Sequence, residues 1–190
     1  MILFNQTVAV ALPSVLSTAL LRIVGRTTTI RWVKRQRGVF DVPSTAEAGG
    51  GGRSFEGLNR NLVSASNFVI DLLKHPKGSL QNVSAVLAIS SRKLEDHTMN
   101  QWLAFISDGT MFLQPPAYES WAENEFRETI MSILELAEEF LHCDKLVVCL
   151  EKQHPDSPNL IRAFMYAGFE MVHPSVYSQN PKYILLGYEI

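Results

Sequence analysis

The feature that most constrains this chain is a helix-then-strand pair in its C-terminal half. Phe126, Ile130, Ile133, Leu134, Ala137 and Leu141 recur at helical spacing and form one apolar stripe. After three intervening residues comes Lys145-Leu146-Val147-Val148-Cys149-Leu150, apolar at every position after the lysine. Such a run has no solvent face, so it predicts a strand covered on both sides of its sheet. An amphipathic helix running straight into a doubly covered strand leaves one broad solution, helices packed on a β-sheet. Ser120-Trp121-Ala122-Glu123 reads as a capping box opening that helix.

The flanks agree. Val83 to Ile89 is short, apolar and partly β-branched, which predicts a strand. Trp102 to Ile106 and Met111 to Leu113 enclose Ser107-Asp108-Gly109-Thr110, and Asp-Gly between apolar runs predicts a tight hairpin. Pro115-Pro116 ends its second strand, because neither proline can donate to a ladder. A second helix is expected with Ser157 as N-cap, Pro158 at its first position and Gly168 at its end. Phe169 to Val172 and Lys182 to Tyr188 supply two more strands. The order is βββ-α-β-α-β-β, an α/β fold with a mixed β-sheet and two packed helices.

The first third of the chain reads differently. Residues 1–40 hold no acid but carry Arg22, Arg26, Arg31, Lys34, Arg35 and Arg37. Val8 to Leu12 and Val15 to Leu21 are apolar, yet neither reaches the length of about 20 residues that a membrane-spanning helix needs. No stable membrane insertion is therefore expected. Arginines, hydroxyls and missing acids fit either a mitochondrial transit-like segment or a leader of chance composition. Residues 41–57, with the Gly49-Gly50-Gly51-Gly52 run, are too poor in apolar groups for a core and read as a linker. A short helix over Asn61 to Lys74 follows. The expected division is a basic, Gly-rich, largely flexible N-terminal region over 1–80 and a globular α/β domain over 81–190.

A search for catalytic chemistry returns little. The chain has no GxSxG, P-loop, HExxH or Rossmann glycine fingerprint. His75, His97, His142, His154 and His173 are scattered, and no two have the i, i+4 spacing of a helical metal pair. Cys143 and Cys149 are too few for a disulfide framework and lie in no zinc spacing. Neither a metal nor a cofactor is expected. A net charge of -2 gives no bias toward nucleic acid.

Charge is concentrated instead. From Glu119 to Glu151 nine acids face Arg127 and Lys145 as the only bases. On a helical wheel Glu125, Glu128, Ser132, Glu135 and Glu139 fall opposite the apolar stripe, with Glu138 beside them. Surface helices usually interleave signs, since like charges at i, i+4 repel by about 0.2–0.5 kcal/mol. Either this is an ordinary solvated face or it is an acidic docking face for a basic partner, with salt-sensitive binding.

Four blocks then match one family in order and spacing. They are Glu135-Leu136-Ala137-Glu138-Glu139-Phe140-Leu141, Asp144-Lys145-Leu146-Val147-Val148-Cys149-Leu150-Glu151-Lys152, Leu160-Ile161-Arg162-Ala163-Phe164 and Gly168-Phe169-Glu170-Met171-Val172-His173-Pro174. Over roughly 93–190 the chain resembles ornithine decarboxylase antizyme, whose core shows an EFAEEQL-like helix end and a GFE-[IV]-V-x-P segment.

The resemblance implies a GNAT-like (acetyltransferase-like) core without acetyl-CoA activity. It implies an inhibitor, not an enzyme. Antizymes bind the ornithine decarboxylase monomer, block its active homodimer and deliver it to the 26S proteasome without ubiquitin. They also restrain polyamine uptake, are titrated by antizyme inhibitor, and need a polyamine-stimulated ribosomal frameshift, placed here near Phe40-Asp41. Family contacts carry over to Glu135, Glu138, Glu139, Arg127, Lys152 and Val172. The resemblance implies a cytoplasmic and nuclear protein, with a mitochondrial fraction if the leader is a transit segment. The alternative is a GNAT-type N-acetyltransferase. Against it, Lys152-Gln153-His154-Pro155-Asp156-Ser157 stands where that family has a glycine-rich pyrophosphate loop.

Overall fold

The computed structural model describes residues 5–11, 17–24, 27–34, 52–73, 82–92, 99–116, 123–173, 175–177 and 179–190. These residues form strands β1 (Asn5–Ala11), β2 (Ser17–Val24), β3 (Thr27–Lys34), β4 (Val83–Arg92), β5 (Met99–Ser107), β6 (Thr110–Gln114), β7 (Lys145–Glu151), β8 (Glu170–Met171) and β9 (Tyr183–Glu189). Helix α1 is Gly52–Leu73, α2 is Glu123–Glu135 and α3 is Ser157–Tyr166. One sheet runs in the order β3-β2-β1-β4-β5-β6-β7-β9-β8.

The sheet is mixed, with β6 and β7 its one parallel pair among the described strands. A parallel pair needs a crossover, and α2 lies in it. Hairpin β5–β6 turns at Asp108 (φ 48°) and Gly109 (φ 71°). Both central residues have positive φ, which a type I′ turn requires and Asp-Gly favours. From β4 onward the element order is the expected one. The expected Ser120 capping box lies outside the described residues.

Alternation along the strands divides the core into two layers. Leu146, Val148 and Leu150 of β7 join Trp102, Met111 and Leu113 beneath Phe126, Ile130 and Ile133 of α2 and Leu160 and Phe164 of α3. Val147 and Cys149 face the other way, with Phe105, Phe112 and Leu185 beneath Phe68, Val69 and Leu72 of α1. The continuous apolar run of β7 is thus covered on both faces, which is what it demands. A fully buried side chain of this kind contributes about 1.5–3 kcal/mol.

Residues before 81 take part in this sheet. Strand β1 pairs with β4, and α1 packs on β4 and β5. Strand β3, Thr-Thr-Thr-Ile-Arg-Trp-Val-Lys, is rich in β-branched residues that suit a pleated surface. Helix α1 is longer than the expected short helix and begins inside the Gly-rich stretch, at Gly52. The division drawn at residue 81 runs between α1 and the strands it covers. Residues 41–51, the rest of the expected linker, and Phe40-Asp41 lie outside the described residues.

Ser157 also differs from its expected role. The cap position falls to Asp156, without a side-chain cap bond, and the Ser157 hydroxyl donates to the Glu151 carbonyl instead. That bond ties the start of α3 to the end of β7.

Candidate functional site

The outward face of α2 is the most distinctive surface. Phe126, Ile130 and Ile133 point into the core and leave Arg127, Glu128 and Glu135 exposed. Ser132 donates its hydroxyl to the Glu128 carbonyl one turn back. The side chain of Glu125 lies outside the described residues.

Beyond Glu135 the helix does not continue as α. Residues Leu136–Phe140 form a π-helical turn, in which the Leu141 N–H reaches back five residues to the Leu136 carbonyl at 3.1 Å. Leu136 and Ala137 are buried, while Glu138 and Glu139 are exposed. Single π turns inside helices recur at functional sites. The sequence signal for this turn is the pair of adjacent apolar doublets, Leu136-Ala137 and Phe140-Leu141. A straight α stripe leaves out Leu136, yet Leu136 is fully buried.

The end of the acidic segment is held firmly. His142 takes a left-handed conformation (φ 51°), and the Cys143 N–H closes on the Ala137 carbonyl at 2.8 Å. The Asp144 N–H then donates to Gly109 O at 2.9 Å, and the Ile190 N–H donates to Asp144 O at 3.0 Å. The hairpin and the end of β9 therefore fix where the glutamates stand.

Among the described residues no base forms an ion pair with these acids. Among the described residues the ion pairs are Lys145–Glu189 at 3.4 Å, Lys182–Asp71 at 2.7 Å and Lys182–Glu151 at 3.4 Å. None involves Glu128, Glu135, Glu138, Glu139, Arg127 or Lys152. Among the described residues the face is uncompensated.

The six carried-over residues do not form one cluster. Glu135, Glu138 and Glu139 lie within about a turn and a half of each other, at the end of the crossover that enters β7. Lys152 is exposed in the turn that leaves β7. Its N–H donates to Lys182 O at 2.9 Å. Seven residues of strand separate Lys152 from Lys145, about 23 Å at 3.3 Å per residue. Arg127 stands twelve positions before Glu139, about 18 Å along a helix. Val172 is on the other layer, packed against the cluster beneath α1. It is half-buried, its N–H donates to Leu185 O at 3.0 Å, and a Cβ on Gly187 would come within 2.9 Å of its Cγ2.

Two cavities lie near these elements. One, about 360 Å³, opens between β7, β9 and the segment after α3, with Lys145, Glu170, Val172, Tyr177, Tyr188 and Glu189 in its wall. The other, about 180 Å³, sits where β6 and β7 end, against Gln114, Cys149, Glu151, His154 and Ser157. The second is below the range of about 300–1,000 Å³ usual for small-molecule pockets. Its loop is bonded to itself. The Asp156 N–H donates to His154 Nδ1 at 3.3 Å, and the Ser157 N–H donates to the His154 carbonyl at 3.0 Å.

Burial pushes the Cys143 thiol up to about 11, with a further contribution from Asp144, and it pushes Cys149 higher still. Neither is primed as a nucleophile. Among the described residues no group of three or more His, Cys, Asp or Glu could hold a metal ion. Nor is any helix among them long and apolar enough to cross a membrane.

Comparison with known proteins gives one consistent family. Residues 101–190 match the family model of ornithine decarboxylase antizyme. The ornithine decarboxylase antizyme of Aedes aegypti is 46% identical over 48 residues, covering 25% of this chain and 20% of that protein. That of Schizosaccharomyces pombe is 36% identical over 78 residues, 38% of this chain and 33% of that protein. Ornithine decarboxylase antizyme 1 of Xenopus laevis is 29% identical over 136 residues, 70% of this chain and 61% of that protein. The matched stretches thus span between a fifth and about three-fifths of these relatives. Among solved structures, a protein described as an acetyltransferase of Agrobacterium tumefaciens superposes with a TM-score of 0.38 at 13% identity, over 77% of this chain and 98% of that one. A likeness this distant says nothing about chemistry.

Proposed function

We propose that this chain is an ornithine decarboxylase antizyme, as the match of residues 101–190 to that family supports, and that it inhibits ornithine decarboxylase by binding its monomer. The observation that supports the reading is the acidic face of Glu135, Glu138 and Glu139, exposed on a helix end tied by backbone hydrogen bonds and without an ion pair among the described residues. Exposed like charges without internal partners are a cost in the free protein that a basic partner surface removes. Arg127 and Lys152 stand toward the opposite end of the crossover and add positive points that fix the orientation of the partner. Val172 contributes an apolar contact from the other layer, so the partner would have to wrap one edge of the sheet.

In this reading the chain blocks the active homodimer, delivers the monomer to the 26S proteasome without ubiquitin and is itself titrated by antizyme inhibitor. Those steps close a feedback on polyamine synthesis and uptake, in the cytoplasm and nucleus. The chain acts by binding and carries out no reaction of its own.

The test is to mix the chain with ornithine decarboxylase at low salt and follow activity and complex size together. The expected result is loss of activity at equimolar chain, with a one-to-one complex of monomers on a sizing column. Full activity at excess chain, with two separate peaks, overturns the proposal.

A further inference from the structure

Helix α1 lies outside residues 101–190, yet its C-terminal end grips the segment that carries Val172. Asp71 does most of this. Its Oδ2 accepts from Lys182 Nζ at 2.7 Å and from the Tyr183 hydroxyl at 2.6 Å. Asn180 Nδ2 donates to the Asp71 carbonyl at 3.0 Å, and the Asn180 N–H donates to the Leu72 carbonyl at 2.8 Å. Lys182 also reaches Glu151 at the end of β7. One acidic side chain thus ties together a helix, the approach to β9 and the end of β7.

An aromatic ladder makes the same connection. Phe68 of α1 meets Phe105 edge-on at 5.5 Å, Phe105 stacks on Phe112 at 4.8 Å, and Phe112 meets Tyr177 edge-on at 5.1 Å. Tyr177 and Val172 both pack against the cluster beneath α1. Beyond β8 the segment from 172 to 182 contains no helix or strand among its described residues, so tertiary contacts set its shape. Those contacts come from α1, from Phe112 of β6, from the end of β7 and from β9.

We propose that Asp71 is a positioning residue for the partner surface: by accepting from Lys182 and Tyr183 through its carboxylate, beside the backbone carbonyls that hold Asn180, it keeps the 172–183 segment, and with it Val172, in the binding-ready conformation. The proposal rests on the reading of this chain as a decarboxylase-binding protein. Asp71 itself touches no partner. Its effect runs through the segment it anchors, and a ligand surface that must be ordered on binding loses affinity by the fraction of time it is disordered.

The experiment compares the full chain with Asp71→Ala, Val172→Ala and the double variant, in two arms. Hydrogen exchange on the free proteins comes first. Asp71→Ala should speed exchange across 172–183, most of all at the Lys182 and Tyr183 amides, while β5, β6 and β7 stay protected. Dissociation constants for ornithine decarboxylase monomer come second. Asp71→Ala should weaken binding by roughly five- to thirtyfold. Val172→Ala should cost much less in the Asp71→Ala background than alone, because the side chain is no longer presented. Asp71→Asn, which can still accept from Lys182 and Tyr183, should recover part of the loss. A merely structural residue would lower the melting temperature but leave the two losses additive. Unchanged exchange at 172–183, or strict additivity of Asp71→Ala with Val172→Ala, overturns the proposal. Failure of the unaltered chain to bind the decarboxylase overturns the functional reading, whereas the exchange arm alone then reports whether the grip exists.

Discussion

The two faces of the sheet are covered in opposite ways. On one face α2, its π turn and α3 bury a large apolar cluster and turn outward a row of acids that form no ion pair among the described residues. On the other, α1 buries a smaller cluster, and its acid Asp71 is answered within the chain by Lys182, Tyr183 and Asn180. The same residue type therefore does two jobs. A carboxylate with internal donors holds elements together, whereas one without them among the described residues faces outward. Composition cannot separate these cases; the list of partners can.

The sharpest way to break this comparison is to remove one ring from each face. Phe164 is fully buried in α3, edge-on to Phe126 at 5.0 Å and to Phe169 at 5.2 Å. Phe164→Ala should lower the unfolding free energy by about 3–5 kcal/mol, because α2, α3 and the lead into β8 all lean on it. Phe68 is as well packed on the α1 side, against Phe105 and Tyr183. Phe68→Ala should cost less in global stability, because α1 can lift while the rest of the sheet stays folded. Urea unfolding followed by tryptophan fluorescence, with hydrogen exchange across α1, separates the two. Equal global losses, with α1 unfolding together with β7, would show that the faces are one cooperative unit.

The acidic face offers the next test, with the sign of the stability effect as its discriminator. Glu135→Lys with Glu139→Lys should weaken decarboxylase binding by about tenfold or more and flatten its salt dependence, since screening acts most on exposed charges. Stability should not fall. These acids form no ion pair among the described residues, Glu135 and Glu139 repel each other at i, i+4, and cations suit a helix C-terminal end. Binding constants at two ionic strengths and a thermal melt are sufficient. A large drop in melting temperature would mean that the glutamates hold the fold, which would undo the contrast with Asp71.

How legible this arrangement was in the sequence depends on distance along the chain. The hairpin at Asp108-Gly109, the stripe from Phe126 to Ile133 and the doubly apolar β7 are local patterns, and each appears as an element where expected. The acidic face is local too, because helical spacing alone puts Glu128 and Glu135 on one side. The π turn at Leu136 was missed because an apolar stripe is drawn at one fixed pitch, and a change of pitch looks like noise. The Asp71–Lys182 grip joins residues more than a hundred positions apart, and no periodicity in either segment points to the other. The placement of Val172 on the opposite layer from the glutamates follows from sheet order, which element order alone does not determine.

The smallest effect is the one that pH should reveal on the α1 side. The hydrogen bond from Lys182, then that from Tyr183, hold the Asp71 carboxyl below its usual 3.8, with burial working the other way. The bond to Asp71 raises Lys182 above 10.5, again against burial. Burial first, and the bond to Asp71 second, raise the Tyr183 hydroxyl well above 10.0. A depressed carboxyl adds stability that is fully present above 3.8 and is lost as pH falls through its lower folded value. A raised lysine adds stability that is fully present below 10.5 and is lost as pH climbs through its higher folded value. A tyrosine kept protonated in the fold loses ground above 10.0 in the same way. The grip should therefore be constant from about pH 5 to 9 and fade outside that window. Both charged side chains are 42% exposed, so solvent screens the pair and its contribution should not exceed about 1 kcal/mol. The measurement is the difference in unfolding free energy between the unaltered chain and Asp71→Asn, taken at pH 7 and again at pH 3. It should shrink at pH 3, below the unfolded value of 3.8, where the unfolded chain takes up the proton that the folded carboxyl resists. A difference of the same size at both pH values would mean that the shape of residue 71, and not its charge, holds α1 to the sheet.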